Sequence, residues 1–294
     1  MDIFIGILEQ GLIYSLLALG IYITYTILNF PDLTVDSSFP LGAAVSVRLI
    51  AAGVNPWLSL LPALLAGCLA GFITGIIHVK FKVKDLFSGI IVMTGLYSVN
   101  LFIAGKANLP IFQASTIFLP GQTFLARAPW SRYATILVSA VIVLLVKIGL
   151  DLYFQTKSGL LLRAVGDNHN LPTSLAVDAN SMKVLGLALA NGLVALSGAV
   201  LGQQQRFFEI SMGTGSMVMG LASVILGIKL LDFIPKLRPS SKVILGSIAY
   251  KAVIAAAIAL GLSPNSLKLV TALLLLVILV LSGRSKGQDP LRSI

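Results

Sequence analysis

Residues 159–183 read GLLLRAVGDNHNLPTSLAVDANSMK, the most polar internal stretch of a chain otherwise built of apolar side chains. Long apolar runs flank it, Tyr133 to Phe154 before and Met182 to Leu201 after, and each is close to the ~20 residues that carry a helix across a bilayer. A polar island between two such runs is a connection on one side of a membrane, and that reading sets the class of fold. Ser158 can cap a short helix through Leu160, Leu161, Leu162 and Arg163, which Gly166 can stop in a left-handed conformation. Asn170 and Pro172 mark a second helical start running through Leu171, Leu175, Ala176 and Val177. Two amphipathic helices along the membrane face would turn Arg163, Asp167, Asn168 and Asp178 outward; the alternative is an ordinary solvated loop.

Composition agrees with a bilayer as solvent. Of 294 residues, 57% are hydrophobic and 11% charged, against about 25% charged in soluble domains, so too little polar surface exists to cover a water-soluble globule. Full spans lie at Ile3 to Leu28, Trp57 to Val79, Leu86 to Gly105, Tyr133 to Phe154, Met182 to Leu201 and Val243 to Leu262. Three shorter runs, Phe39 to Ala52, Met217 to Leu231 and Leu267 to Ser282, read as short or broken segments. The expected fold is all-α, a polytopic transmembrane helical bundle of about nine membrane segments. Segments one to four run long, short, long, long, and six to nine repeat long, short, long with a shorter last member, so an odd fifth segment would make the two sets inverted repeats around a central pathway. The chain then divides into a first half (1–105), an external loop (106–132), a linking helix (133–154), a polar loop (155–182) and a second half with its tail (183–294). Met1 and Asp2 lead into apolar residues without a basic n-region, so the first segment is expected to be retained.

A net charge of +10 would suggest nucleic acid in a soluble protein. Its placement points elsewhere: with the loops at 80–85, 154–183, 232–242 and the tail from 283 on one side, that side holds 12 Lys and Arg and the opposite side five. This is the positive-inside pattern, with the N-terminus outside and the C-terminus cytoplasmic. Membrane lipid, and no nucleic acid, is the expected surrounding.

Candidate pathway residues cluster where polar groups interrupt apolar runs. In ILNFPDLTVDSSFPLGAA (27–44), Pro31 and Pro40 forbid one continuous helix, and the freed backbone needs protein or water around it. Asp32, Asp36 and Ser37 are therefore candidates for a polar pathway wall, while Asp36, Ser37 or Ser38 could equally cap the second segment. Met93, Tyr97 and Asn100 share a helical face that could line the path or simply pack. Gln203 stands at the outer end of its segment, at a pathway mouth or a plain interfacial boundary. Of the intramembrane cations, Lys147 and Lys229 can snorkel to the interface, whereas Lys251 is expected to make an interhelical contact. The sequence holds no GxxxxGK[ST] phosphate loop, no HExxH and no Cys or His cluster, which leaves nucleotide hydrolysis and metal chemistry without a signature on this chain.

The run LLLRAVGDNHNLPTSLAVDANSMKVLGLALANGLVALSGAVLGQQQRF (160–207) resembles the central cytoplasmic loop and following helix of permease subunits of ATP-binding-cassette importers, in the class serving branched-chain amino acids and monosaccharides. LTVDSSFPLGAAV (33–45) is similar to that family's broken second segment, SMGTGSMVMGLASVILG (211–227) to its seventh, and residues 243–281 to its last two. Ala176 and Lys229 depart from the pattern, which usually has glycine and an acidic residue there. The resemblance is nearest to aromatic or other amino-acid uptake systems. It implies a permease that is not itself an enzyme, translocating a small polar metabolite such as an amino acid by alternating access in a bacterial inner membrane. It implies that Arg163, Gly166, Asp167, Asn168, Leu171, Leu175, Ala176 and Val177 form an ATPase-coupling element. The implied partners are a second permease copy, two ATP-binding subunits and an external substrate-binding protein, with ATP and Mg on the ATPase and no cofactor on this chain. A gradient-driven secondary transporter or channel without an ATPase is the alternative.

Overall fold

The computed structural model describes residues 2–118, 133–167, 178–232, 234, 237–261, 269–273 and 276. Helix α1 (Asp2–Ile21) continues into a π-helical turn (Tyr22–Ile27), and α2 (Val35–Ala51), α3 (Pro56–Lys80) and α4 (Asp85–Ala104) follow. After a short strand β1 (Asn108–Pro110) come α5 (Ala134–Tyr153), α6 (Lys157–Asp167) and α7 (Ala179–Gln205). Strand β2 (Phe207–Glu209) pairs antiparallel with β1, with Leu109 opposite Phe208, and leads through a 3-10 turn (Ile210–Gly213) into α8 (Ser216–Leu230) and α9 (Pro239–Ala259). The β ribbon marks one end of the bundle, and α6 marks the other.

Among the described residues, seven helices are long and apolar enough to cross a membrane, so this is a multi-pass membrane protein. Nine is not the number they give. Helix α2 has 17 residues and falls short, and most of the last expected segment, 267–282, lies outside the described residues. The seventh segment, expected to be short, is instead completed by the 3-10 turn to a 21-residue span, Ile210–Leu230, which weakens its parallel with α2.

Helix α7 is the axis of the packing. From Ala190 to Gln203 every residue is buried, with α1, α2 and α3 around it. In lipid there is no water to drive helices together, so association depends on close contact through small residues. Gly67, Gly71 and Gly75 sit one turn apart on α3, and a methyl group at each would overlap the α7 backbone at Asn191, Leu187 and Val184. Gly42 on α2 and Gly198 on α7 serve the same purpose between that pair: a methyl group on either would strike a main-chain carbonyl, Ala195 or Phe39.

Candidate functional site

The chain breaks between α1 and α2. The π-helical turn ends in wide hydrogen bonds, Leu28 N to Ile23 O at 3.0 Å and Phe30 N to Thr24 O at 2.8 Å, and Asn29 takes a left-handed φ of 51°, which Asn tolerates better than most residues. Pro31 then disfavours helical backbone at Phe30 before it, and helix resumes at Val35. Asp32, 1% exposed, is carried by this break into the core. Its Oδ1 accepts from the Thr34 N–H at 2.9 Å, and its Oδ2 accepts from Asn191 Nδ2 at 2.6 Å. Ser38 Oγ donates to Asn191 Oδ1 at 2.7 Å, and the Thr34 and Thr74 hydroxyls meet at 2.9 Å. One amide in the middle of α7 thus ties the break to the start of α2, which satisfies polar groups that lipid cannot.

Asp36 reaches a different helix. The second segment begins at Val35 with Thr34 as its N-cap and no side-chain cap, so capping of α2 by Asp36, Ser37 or Ser38 does not occur. Instead the Asp36 carboxylate accepts from Gly215 N at 3.1 Å, Ser216 Oγ at 3.0 Å and Met217 N at 2.8 Å, capping the start of α8. Gly215 has a left-handed φ of 82°, which aims those amides at one acceptor. Pro40 lies inside α2 rather than ending it, and its missing N–H frees the carbonyl of Asp36 four residues earlier. Gly213 packs on that carbonyl so closely that a methyl group would collide with it.

Ser37 and Asn100 come together: Asn100 Nδ2 donates to the Ser37 carbonyl at 3.0 Å and Ser37 Oγ donates to the Met93 carbonyl at 2.8 Å. Asn100 is fully buried, and its Oδ1 has no partner among the described residues. Tyr97, on the same helix, is 51% exposed and faces away from this group, and the Met93 side chain is half-buried. Gln203 is fully buried at the β-ribbon end, where Nε2 donates to Ser46 Oγ, Ser59 Oγ and the Pro56 carbonyl at 3.0–3.1 Å and Oε1 accepts from Ile117 N at 3.1 Å. It ties α2, α3 and α7 together near their outer ends.

At the opposite end, α6 starts from Thr156, whose Oγ1 accepts from Gly159 N at 3.2 Å, so Thr156 and not Ser158 caps it. Gly166 does not stop the helix with a left-handed turn; it lies inside α6 with ordinary φ. Its role is proximity, since a methyl group there would coincide with the carbonyl of Ile27. Asn29 Nδ2 donates to the Gly166 carbonyl at 3.2 Å, and Leu162 is fully buried in the same core. Helix α6 is therefore seated on the break between α1 and α2. Arg163 turns back over the Phe154 ring, 4.8 Å from its centroid. Of the remaining coupling candidates Asp167 closes α6, and Asn168, Leu171, Leu175, Ala176 and Val177 lie outside the described residues.

Lys147 does not merely snorkel. It pairs with Asp151 at 3.0 Å, and that carboxylate also accepts from Arg238 at 3.1 Å and Ser240 Oγ at 2.5 Å, binding α5 to the start of α9. Lys251 joins α9 to α1, its Nζ 3.5 Å above the Tyr14 ring and 3.3 Å from Gln10 Oε1. Asn191, an amide in the middle of the 20-residue apolar run Met182 to Leu201, is a functional signal that the sequence carries and that hydropathy alone does not single out. The Gly67–Gly71–Gly75 spacing was visible as well.

Residues 3–280 match the family model described as "Branched-chain amino acid transport system / permease component". The chain belongs to this permease family. It is 40% identical to the tyrosine transport system permease protein of Clostridioides difficile, over 94% of this chain and 90% of that protein. A probable branched-chain amino acid transport permease of Methanocaldococcus jannaschii is 29% identical over 72% of this chain and 70% of its own length. The ribose import permease protein of Escherichia coli K12 is 24% identical over 76% and 68%. As a permease of the ATP-binding-cassette type, the chain is the membrane component of its system and not a catalytic one, and its relatives span amino-acid and sugar systems.

Proposed function

We propose that this chain forms the translocation path of an ATP-driven importer for an amino acid, with an aromatic amino acid as first candidate because of the relative named for tyrosine. The observation that carries the reading is the seat of α6 on the α1–α2 break: Gly166 against Ile27, Asn29 on the Gly166 carbonyl, and Leu162 in the core. Movement imposed on α6 must pass into the backbone that holds Asp32, because contact at that distance leaves no slack. Asp32, Asp36, Ser37, Asn100 and Gln203 form the polar joints of the path, Met93 and Tyr97 flank it, and alternating access exchanges those joints.

In this reading the α6 end is cytoplasmic, as the bias of Lys and Arg supports. The C-terminus lies on the cytoplasmic side of a bacterial inner membrane. Gly166, Asp167, Asn168, Leu171, Leu175, Ala176 and Val177 meet one of two ATP-binding subunits, while Arg163 holds α6 to α5. A second permease copy and an external substrate-binding protein complete the assembly, and ATP and Mg stay on the ATPase. The test replaces residues 171–177 with a Gly/Ser linker in the reconstituted complex. Tyrosine uptake and substrate-stimulated ATPase activity should both be lost while the ATPase keeps its basal rate. Full uptake through the linker variant, or wild-type uptake that follows an ionophore-sensitive gradient and ignores ATP, overturns the reading.

A further inference from the structure

Four elements, α6 among them, converge without filling the space between them. The π-turn of α1 brings Tyr22, the end of α5 brings Asp151 and Phe154, α6 brings Arg163, and the start of α9 brings Arg238 and Ser240, around a cavity of about 220 Å³. Asp151 is buried and already engaged by Lys147, Arg238 and Ser240. Arg163 has only the Phe154 ring, and no acidic partner among the described residues. Two guanidinium groups line the cavity against one carboxylate, which Lys147 also neutralises from outside it, and the first turn of α9 adds the positive end of a 21-residue helix, so the cavity is electropositive. Guanidinium forks match the geometry of a phosphate better than that of any neutral ligand.

An apolar face leads along α5 toward the cavity wall. Leu145, Ile148 and Leu152 on α5 are 65%, 45% and 59% exposed, and their spacing sets them in one stripe whose next member is Gln155, at the cavity wall. Along the membrane normal the surface therefore changes from apolar stripe to cationic pocket within one helix. That profile is the complement of a phospholipid.

We propose that this pocket binds the phosphate of an anionic phospholipid from the adjacent leaflet, with the acyl chain lying on the Leu145–Ile148–Leu152 stripe. Arg163 and Arg238 hold the phosphate, and Gln155 and Ser240 supply neutral hydrogen bonds. Because the pocket includes α6, a bound lipid stiffens the helix that seats on the α1–α2 break. The site stands whether or not an ATPase drives transport.

Thermal unfolding and native mass spectrometry of the full purified chain test it, with phosphatidylglycerol, phosphatidylcholine and inorganic phosphate as separate probes. Phosphatidylglycerol should raise the melting temperature by a few degrees and leave retained adducts, while the other two should do neither. Arg163→Gln should weaken phosphatidylglycerol about tenfold, the loss of one charge-assisted contact. Gln155→Glu, which puts a carboxylate at the exposed wall without touching the core, should weaken it too and covers the case in which Arg163→Gln fails to fold. Equal effects of the two lipids, unchanged adducts in Gln155→Glu, or stabilisation by inorganic phosphate alone would overturn the proposal. So would a disulfide between two chains carrying Leu145→Cys in native membranes, which would put a second copy on the stripe. Loss of ATPase co-purification in Arg163→Gln with lipid adducts intact would assign the arginine to the ATPase instead.

Discussion

Helices α5 and α7 are nearly equal in apolar character and opposite in situation. Over the most apolar 18-residue window, 78% of α7 is buried inside the protein against 28% of α5. Helix α5 presents Leu137, Val141, Leu144, Leu145, Ile148 and Leu152 outward, bulky side chains suited to lipid. Helix α7 presents glycine, alanine, serine and amide groups inward, from Gly186 through Asn191 and Gly198 to Gln203. Hydropathy separates water from membrane but not the lipid-facing helix from the central one. Side-chain size and isolated polar groups make that second distinction, because a helix at the centre must let neighbours approach and must satisfy whatever the broken segments leave open.

The strongest way to break the contrast is to exchange bulk between the two helices. Gly198→Leu drives a side chain into the Phe39 main-chain carbonyl, which cannot move without α2, and should cost about 3 kcal/mol of stability. Leu145→Ala strips most of a side chain from α5 yet should change stability by less than about 0.5 kcal/mol, since that side chain is already 65% exposed. Melting of both variants in the same detergent decides the matter. Similar losses would mean that α7 is no more central than α5.

Polar substitution gives a smaller separation. Asn191→Leu strips partners from Asp32 Oδ2 and Ser38 Oγ together, deep in the bundle, and should cost about 1–3 kcal/mol. Uptake should fall with it if the break is the moving part of the path. On α5, Lys147→Met removes one of three partners of Asp151, leaving Arg238 and Ser240, and should cost about 1 kcal/mol or less. A larger loss from Lys147→Met than from Asn191→Leu would reverse the assignment of which helix carries the essential network.

The long spans and the existence of α6 were legible because they depend on runs of neighbouring residues, while the caps of α6 were not: Thr156 stands where the sequence points to Ser158, and Gly166 is not a stop. The destinations of side chains were not legible either. Asp36 carries the signature of a local cap, and nothing near it in sequence indicates that the amides it binds are at Gly215 and Met217, roughly half the chain away. Gly166 reads as a helix stop because glycine usually is one there, whereas its lack of a side chain is used against Ile27. Lys147 reads as a snorkelling cation although its partner Asp151 stands four residues on in the same helix; only that carboxylate's other ligands, Arg238 and Ser240, come from far along the chain. The Asp36 and Gly166 contacts join segments that hydropathy treats independently, whereas the Lys147 pair lies within one helix. The α3 glycines at a four-residue period are the counter-example, since that spacing by itself states that one face must meet another backbone.

The smallest expected effect lies at the ends of the same two helices. Asp178 caps α7, its carboxylate accepting from Ser181 Oγ at 2.6 Å, Asn180 N at 3.0 Å and Ser181 N at 3.2 Å. The Ser181 hydroxyl first, and then the Asn180 amide, hold its pKa below the ordinary 3.8. A lowered pKa in the folded state means the cap contributes its full stability above 3.8 and loses it as the pH falls through the lower folded value. Asp178→Ala should thus melt below the wild type at pH 7, and the gap should close once the solution is more acidic than the folded carboxyl. Tyr133, at the same place on α5, makes no side-chain cap, so substitution there should leave a melting difference that does not change across that acid range. A gap for Asp178→Ala that is constant down to full protonation would show that the carboxylate contributes nothing as a charge, and that α7 and α5 start alike.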